Sequence, residues 1–233
     1  MAVIRLEGVD LEYEVVVRPR RRQVALDMDR HGRVRVLVPP EFEPGDIEGI
    51  LTAKQAWLLR HYRRLTALPE VLPHRFLAGE TFALLGRRLT LHLTEGAGTA
   101  GGVRRRGSEL WADVEPGGSV RTLLIGWYRE QAQGVLPVRV EYWGRQMGVM
   151  PNRIKLGDYR SRWGYCRTDG LLALNWRLIQ APLRVVDYVV GHELRHLTHP
   201  HHGPRFWQAL AETHPTFAES KLWLRDHGEE LRW

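Results

Sequence analysis

HELRHLTHPHH, residues 192–202, is the stretch on which the reading of this chain turns. A helix advances about 100° per residue, so His192 and His196 sit one turn apart on one face and can share a metal ion. Glu193, beside the first of them, is placed to reach a water on that metal and take its proton, the division of labour of an H-E-x-x-H motif. The pattern predicts hydrolysis. The residues before it support a helix: Leu183, Val185, Val186, Tyr188, Val189 and Val190 form an apolar run behind Pro182, which suits a first helical turn. A chance match in a chain this long has a probability on the order of a few per cent. Two histidines and a glutamate at the end of a buried helix would also be costly without a partner.

A zinc that does chemistry keeps three protein ligands and one open position, so a third ligand is needed. His199 lies one turn beyond His196, but Pro200 follows it and pushes it out of helical geometry, so the helix is expected to stop near Thr198 or His199. Past that break Gly203 helps the chain turn back, and His202 falls six residues after His196, the separation found in H-E-x-x-H-x-x-G-x-x-H sites. The glycine of that longer pattern is His199 here, and no methionine follows residue 150; the spacing recurs without the rest of that signature. Glu212 or Glu219 is the alternative third ligand, as in sites of two histidines and one glutamate.

At 233 residues with 43% hydrophobic content, the chain can bury a substantial core as one large domain or two small ones. No run approaches the roughly 18 apolar residues that span a bilayer, and the opening MAVIRLEGVDLEYEV lacks the apolar core of a signal peptide. The expectation is a cytoplasmic protein with no membrane partner. Cys166 is the single cysteine, which excludes an internal disulfide and a cysteine-built zinc cluster. Nothing around it activates a nucleophile, so it is read as packing. The formal charge of +7 comes from dispersed arginines: Arg18 with Arg20–Arg22, Arg60 with Arg63 and Arg64, Arg87 with Arg88, and Arg104–Arg106. Such charge gives sequence-independent affinity for nucleic-acid phosphates. No recognised nucleic-acid-binding motif accompanies it, and a solvated arginine-rich surface is the plainer reading.

Working outward, residues 3–38 alternate apolar and polar in LEYEVVVRP and GRVRVLVPP, with His31-Gly32 between runs; this predicts strands of an antiparallel sheet closed by a hairpin. Ile47, Ile50, Leu51, Trp57, Leu58, Tyr62 and Leu65 recur at helical spacing, predicting one helix from Asp46 to about Leu65. After a link around Pro69 and Pro73, TFALLG, RRLTLHLTE, Val103–Arg106 and ELWADVEP read as strands. GAGTAGG between two of them is a loop tip and no phosphate loop, because it lacks the lysine and hydroxyl residue and the following helix. His74 and His92 stand alone there and read as satisfied or surface histidines. Ser119 is a helix cap candidate for a stretch carrying Leu123, Leu124, Trp127 and Tyr128; Pro137 is expected to interrupt it, with a continuation through Val140, Trp143 and Met147 ending at Gly148.

Three segments then follow in order: RSRWGYC (160–166), LALNWRLIQAP (172–182) and DYVVGHELRHLTHPHHGPRFW (187–207). Together they closely resemble the YgjP-like metal-dependent hydrolases, relatives of SprT-like and minigluzincin metallopeptidases. The string of the form HELxHLxHxxHxxxFW is matched at His192, Glu193, Leu194, His196, Leu197, His199, His202, Phe206 and Trp207. The likeness is most specific over residues 153–210 and extends over nearly the whole chain. It implies an α+β protein: a β-rich N-terminal part with one helix over residues 1–118, then a zincin-like metallopeptidase part over 119–233. It further implies one zinc per chain held by His192, His196 and His202, with Glu193 catalytic. Arg195 stands where the family often has alanine, and such a cation must point away from the metal or perturb it.

LALNWRL alternates like a strand, and a strand edge beside an active helix can hold an extended peptide by main-chain hydrogen bonds. Asn175 and Arg177 would then share a face, and Trp163-Gly164 reads as a turn. Arg160 or Arg162 near the zinc would stabilise a negative oxygen or bind a substrate carboxylate; stacking on Trp163 or pairing with Asp158 is the structural alternative. The expected function is peptide-bond hydrolysis of a peptide or protein substrate. The competing readings are a metal-dependent nucleotide pyrophosphatase, which would need an anion cradle and usually carboxylate ligands for magnesium, and a nucleic-acid-associated SprT-like protease.

Overall fold

The structure, a computed structural model, describes residues 2–29, 31–42, 44–68, 72–95 and 102–233. Its internal contacts fall into two compact units, Met1–Val71 and Leu72–Trp233. In the first, β1 (Ala2–Leu6) and β2 (Val9–Val17) form one hairpin, and β3 (Ala25–Met28) and β4 (Val34–Val38) form another, around the anticipated Gly32 at φ +80°. Glu7 and Gly8 both have positive φ, the combination a two-residue turn needs to follow strand twist. The sheet order is β1-β2-β4-β3. The two hairpins are joined through β2 and β4, which run parallel with Tyr13 opposite Val34. The sheet is therefore mixed, not antiparallel as expected, because alternation reveals strands and hairpins but not which hairpin edges meet. The predicted helix is two, α1 (Ile47–Ala53) and α2 (Gln55–Thr66), separated at Lys54. Their Leu51, Leu58 and Leu59 pack with Leu11, Val34, Val36 and Val38 in a core of their own.

The second unit opens with the same plan. β5 (Thr81–Leu84), β6 (Arg87–Glu95), β7 (Val103–Arg106) and β8 (Glu109–Val114) lie in the order β5-β6-β8-β7, two hairpins joined by a parallel β6–β8 pair. The expected glycine-rich loop lies outside the described residues save Gly102. Phe82, Leu84, Leu89, Leu91, Leu110 and Ala112 on one face share a core with α3 (Val120–Met147) and the elements after it. That shared core is why the division of contacts falls near residue 71 and not at the expected 118/119.

Ser119 caps α3, its hydroxyl accepting from the Thr122 amide at 3.3 Å, and Gly148 ends it at φ +65°. The predicted break at Pro137 does not occur. A mid-helix proline costs about 3 kcal/mol, whereas Leu124, Trp127, Tyr128, Ala132, Leu136 and Val140 form one buried stripe along α3. At about 1.5–3 kcal/mol per large apolar side chain, burial outweighs the lost hydrogen bond.

Beyond α3, β9 (Arg153–Gly157), β10 (Gly164–Cys166) and β11 (Leu171–Asn175) make a small sheet ordered β10-β11-β9, with β11 antiparallel to β10 and parallel to β9. β11 is thus the central strand and not the edge expected of LALNWRL. It ends at Asn175, and Trp176–Gln180 continues as a tight 3-10 helix. Gly164, expected in a turn, is the first residue of edge strand β10. Leu85 and Gly86, the β5–β6 turn, donate backbone bonds to Ile179 and Gln180 at 2.7 and 3.2 Å, fixing the segment that leads into α4 (Leu183–Arg195). α5 (Pro204–Thr213) and α6 (Phe217–His227) pack on α4.

Candidate active site

α4 carries the site because its inward face is apolar: Val185, Val186, Val189, Val190 and Leu194 are buried in the core, which orients the intervening residues at its C-terminal end. His196 caps α4 still in helical geometry, φ −65° and ψ −18°, and its ring lies 5.1 Å from that of His192. α4 stops at Arg195, earlier than the expected Thr198 or His199, the chain turns through His196–Thr198, and α5 begins at Pro204. Between them His202 returns to the helix, its Nε2 lying 2.9 Å from Nε2 of His192. Donor atoms of His192, His196 and His202 all lie within 4.8 Å of one another, the single group among the described residues with metal-holding geometry.

Two features hold this triangle. Phe206, 1% exposed, puts its ring 5.0, 4.9 and 4.7 Å from those of His192, His196 and His202, and the Trp207 indole N–H donates to the His202 carbonyl at 3.1 Å. Nδ1 of His196 faces the His199 carbonyl at 3.2 Å, the outer contact that commonly fixes a ligand's tautomer and leaves Nε2 free for a metal. His199 itself points its Nδ1 at the Thr198 hydroxyl, 2.9 Å away. Neither His199, Glu212 nor Glu219 belongs to the triangle. Three converging imidazoles with no carboxylate fit a zinc ion better than magnesium. Burial, reinforced by the charges of His196, His202 and Lys221, pulls the His192 pKa down to about 3, so this imidazole stays neutral, the state a ligand needs.

Glu193 is 7% exposed. Burial pushes its pKa up to about 8, with the Arg162 charge acting the other way. It lies against β10: a Cβ on Gly164 would come 2.7 Å from Cγ and 2.9 Å from Oε1 of Glu193, and 3.0 Å from the Ala173 carbonyl. Only glycine leaves the carboxylate where it is, a requirement invisible in sequence because the two residues meet only in the fold. Gly191, just before His192, is likewise backed by the His214 ring, which lies tilted against Trp143 with ring centroids 4.0 Å apart.

The residues expected to bind substrate divide. Asn175 is fully buried; its amide donates to the carbonyls of Tyr159 at 2.9 Å and Arg162 at 3.3 Å, and its Oδ1 accepts from the Arg177 amide at 3.1 Å. It braces the loop that carries Arg162. Arg177 forks onto Asp158 at 3.0 and 3.2 Å and reaches the carbonyls of Leu231 and Trp233, so its five donors serve the interior. The structural roles imagined for Arg160 or Arg162 are filled by others, since Arg177 pairs with Asp158 and Arg232 lies over Trp163 at 4.7 Å. Arg160 is exposed and its carbonyl accepts from Arg232. Arg162 is exposed, lies over Tyr165 at 5.5 Å and is near enough to Glu193 to act on its charge. Arg195 turns away from the histidines and donates to the Ala209 carbonyl at 2.9 Å. Cys166 is pushed up to about 11 by burial and then by Glu193 and Asp169, which keeps the thiol neutral. His74 is satisfied by Glu80 at 3.1 Å, and His92 stacks on Trp111 at 4.4 Å.

The family model that the chain matches makes it a metal-dependent hydrolase of the metallopeptidase class. Residues 22–227 match the family model described as YgjP-like, metallopeptidase domain, and the chain belongs to that family. Among solved structures, the crystal structure of the metallopeptidase zymogen of Pyrococcus abyssi abylysin is similar over 38% of this chain and 92% of its own, at 15% identity and a TM-score of 0.36. No curated protein matches the chain. No helix among the described residues is long and apolar enough to cross a membrane.

Proposed function

We propose that this chain is a zinc-dependent peptidase with a zincin-like site, acting on peptide or protein substrates in the cytoplasm. The observation that carries the reading is the histidine triangle, with donor atoms within 4.8 Å of one another, set directly beside a buried carboxylate. His192, His196 and His202 would hold the ion. When bound, zinc supplies a Lewis acid that polarises the scissile carbonyl and makes water more acidic. Glu193 accepts a proton from the attacking water on its carboxylate and returns it to the leaving amine nitrogen. In the metal-free chain burial lifts this carboxyl well above an ordinary glutamate, which makes it a stronger base for the water proton.

Among the described residues β10 pairs with β11 on one side only, so its other edge is the one suited to take an extended peptide by main-chain bonds. Gly164 keeps that edge close to Glu193. Arg162 is the arginine suited to steady negative charge at the carbonyl oxygen, while Asn175 and Arg177 act as braces. The test is metal analysis of the purified protein with a peptide-library digest. One zinc per chain is expected, lost together with cleavage in His192→Ala, His196→Ala and His202→Ala. Full zinc occupancy in His202→Ala would remove that residue from the ligand set.

A further inference from the structure

We propose a second site: the outer face of the β5–β8 sheet binds single-stranded nucleic acid. The inner face of this sheet is the core face carrying Leu89, Leu91, Leu110 and Ala112. By the two-residue alternation of a strand, Arg88 and His92 of β6, Glu109 and Trp111 of β8, and Arg104 and Arg106 of β7 project from the opposite face. Register places Arg104 directly across from Trp111 and Arg106 across from Glu109, with His92 opposite Trp111 on the other side. Arg104 and Arg106 of β7 therefore flank Trp111 of β8 on one surface.

The chemistry of that surface is specific. His92 and Trp111 stack at 4.4 Å with 16° between their planes. On the Trp111 flank a cavity of about 120 Å³ is lined by Arg104, Arg106 and Trp111 alone. Arg104 and Arg106 are exposed, and no carboxylate pairs with them among the described residues. Of the acidic residues on the face, Glu109 accepts from the Trp111 indole at 3.2 Å and faces His92 at 3.9 Å, and Asp113 accepts from the Thr94 hydroxyl at 3.4 Å. Free guanidinium groups around a half-buried ring complement a phosphate chain whose bases are unstacked: a base can lie on Trp111 while the arginines take the phosphates or stack on the base plane. A duplex hides its base faces, and an acidic protein offers the arginines carboxylates but nothing for the ring. The site is independent of the peptidase reading.

The test is fluorescence anisotropy of the zinc-loaded full chain with a labelled oligothymidylate, a duplex of equal length and polyglutamate, across a salt series. The single strand should bind at least ten-fold more tightly than the duplex or polyglutamate. Arg104→Gln with Arg106→Gln should weaken it at least ten-fold and flatten the salt dependence by between one and two released counterions. Trp111→Ala should weaken it at least five-fold, the low end for removing one stacking ring, with the salt slope unchanged. Both variants should keep the parent's far-UV circular dichroism, zinc content and peptide cleavage. Equal binding of all three polymers, or a Trp111→Ala protein that is folded and binds like the parent, would overturn the proposal; preference for polyglutamate would reassign the face to an acidic protein partner.

Discussion

At the scale of single residues, the charge state of Glu193 offers a sharp check. Its folded-state pKa of about 8 lies above the ordinary 4.5, so the folded metal-free chain keeps a proton that the unfolded chain releases. The stability this contributes is full below about pH 4.5 and is lost as pH rises to about 8. His192, lowered from 6.5 to about 3, works in reverse: its contribution stands above 6.5 and fades as pH falls toward 3. Comparing metal-free Glu193→Gln with metal-free parent isolates the glutamate. The difference in unfolding free energy should move in the variant's favour by up to about 4 kcal/mol between pH 4.5 and 8; parallel curves in a denaturant series at stepped pH would show that Glu193 titrates normally. Arg162 holds that pKa down, so Arg162→Ala should shift the acidic limb of the peptide-hydrolysis profile to higher pH and lower kcat, leaving zinc content unchanged. The pairing of His192 with His196 was legible because it follows from helical period, and His202 only from its spacing past the break at Pro200. The roles of Gly164, Asn175 and Arg177 were not, since each is set by a neighbour distant in sequence: Glu193, the 159–162 loop and Asp158.

At the scale of elements, the small sheet sets the position of the base relative to α4. Gly164→Ala would drive a methyl group into Glu193 or the Ala173 carbonyl. Displacing a catalytic group by about 1 Å can cost up to about a hundred-fold, so kcat should fall at least ten-fold with zinc still bound. Asn175→Ala removes three buried hydrogen bonds and should destabilise the protein by about 2 kcal/mol or more, read as a lowered denaturation midpoint. Strands and hairpins were readable from alternation and turn glycines, and α3 from its apolar spacing. Which hairpin edges pair was not, nor was the continuity of α3 through Pro137, because both depend on the burial of partners that local pattern does not reveal.

At the scale of the whole molecule, two hydrophobic cores, one built on Leu11, Val36 and Leu58 and the other on Tyr128, Trp176 and Val190, predict departure from a single two-state transition in calorimetry. The histidines proposed to hold zinc belong to the second core's unit, so chelation should lower only that unit's transition, by about 3–4 kcal/mol for an ion present at a hundred to a thousand times its Kd. In the proposed mechanism Glu193 moves the proton while the histidines hold the ion, and Glu193→Gln assayed on a peptide library beside a nucleoside triphosphate panel separates the two roles. Zinc and fold should be retained while peptide cleavage falls by at least about a hundred-fold, the scale of losing a positioned general base. Undiminished peptide cleavage by Glu193→Gln would contradict the mechanism, and parent activity confined to nucleotides would contradict the peptidase assignment.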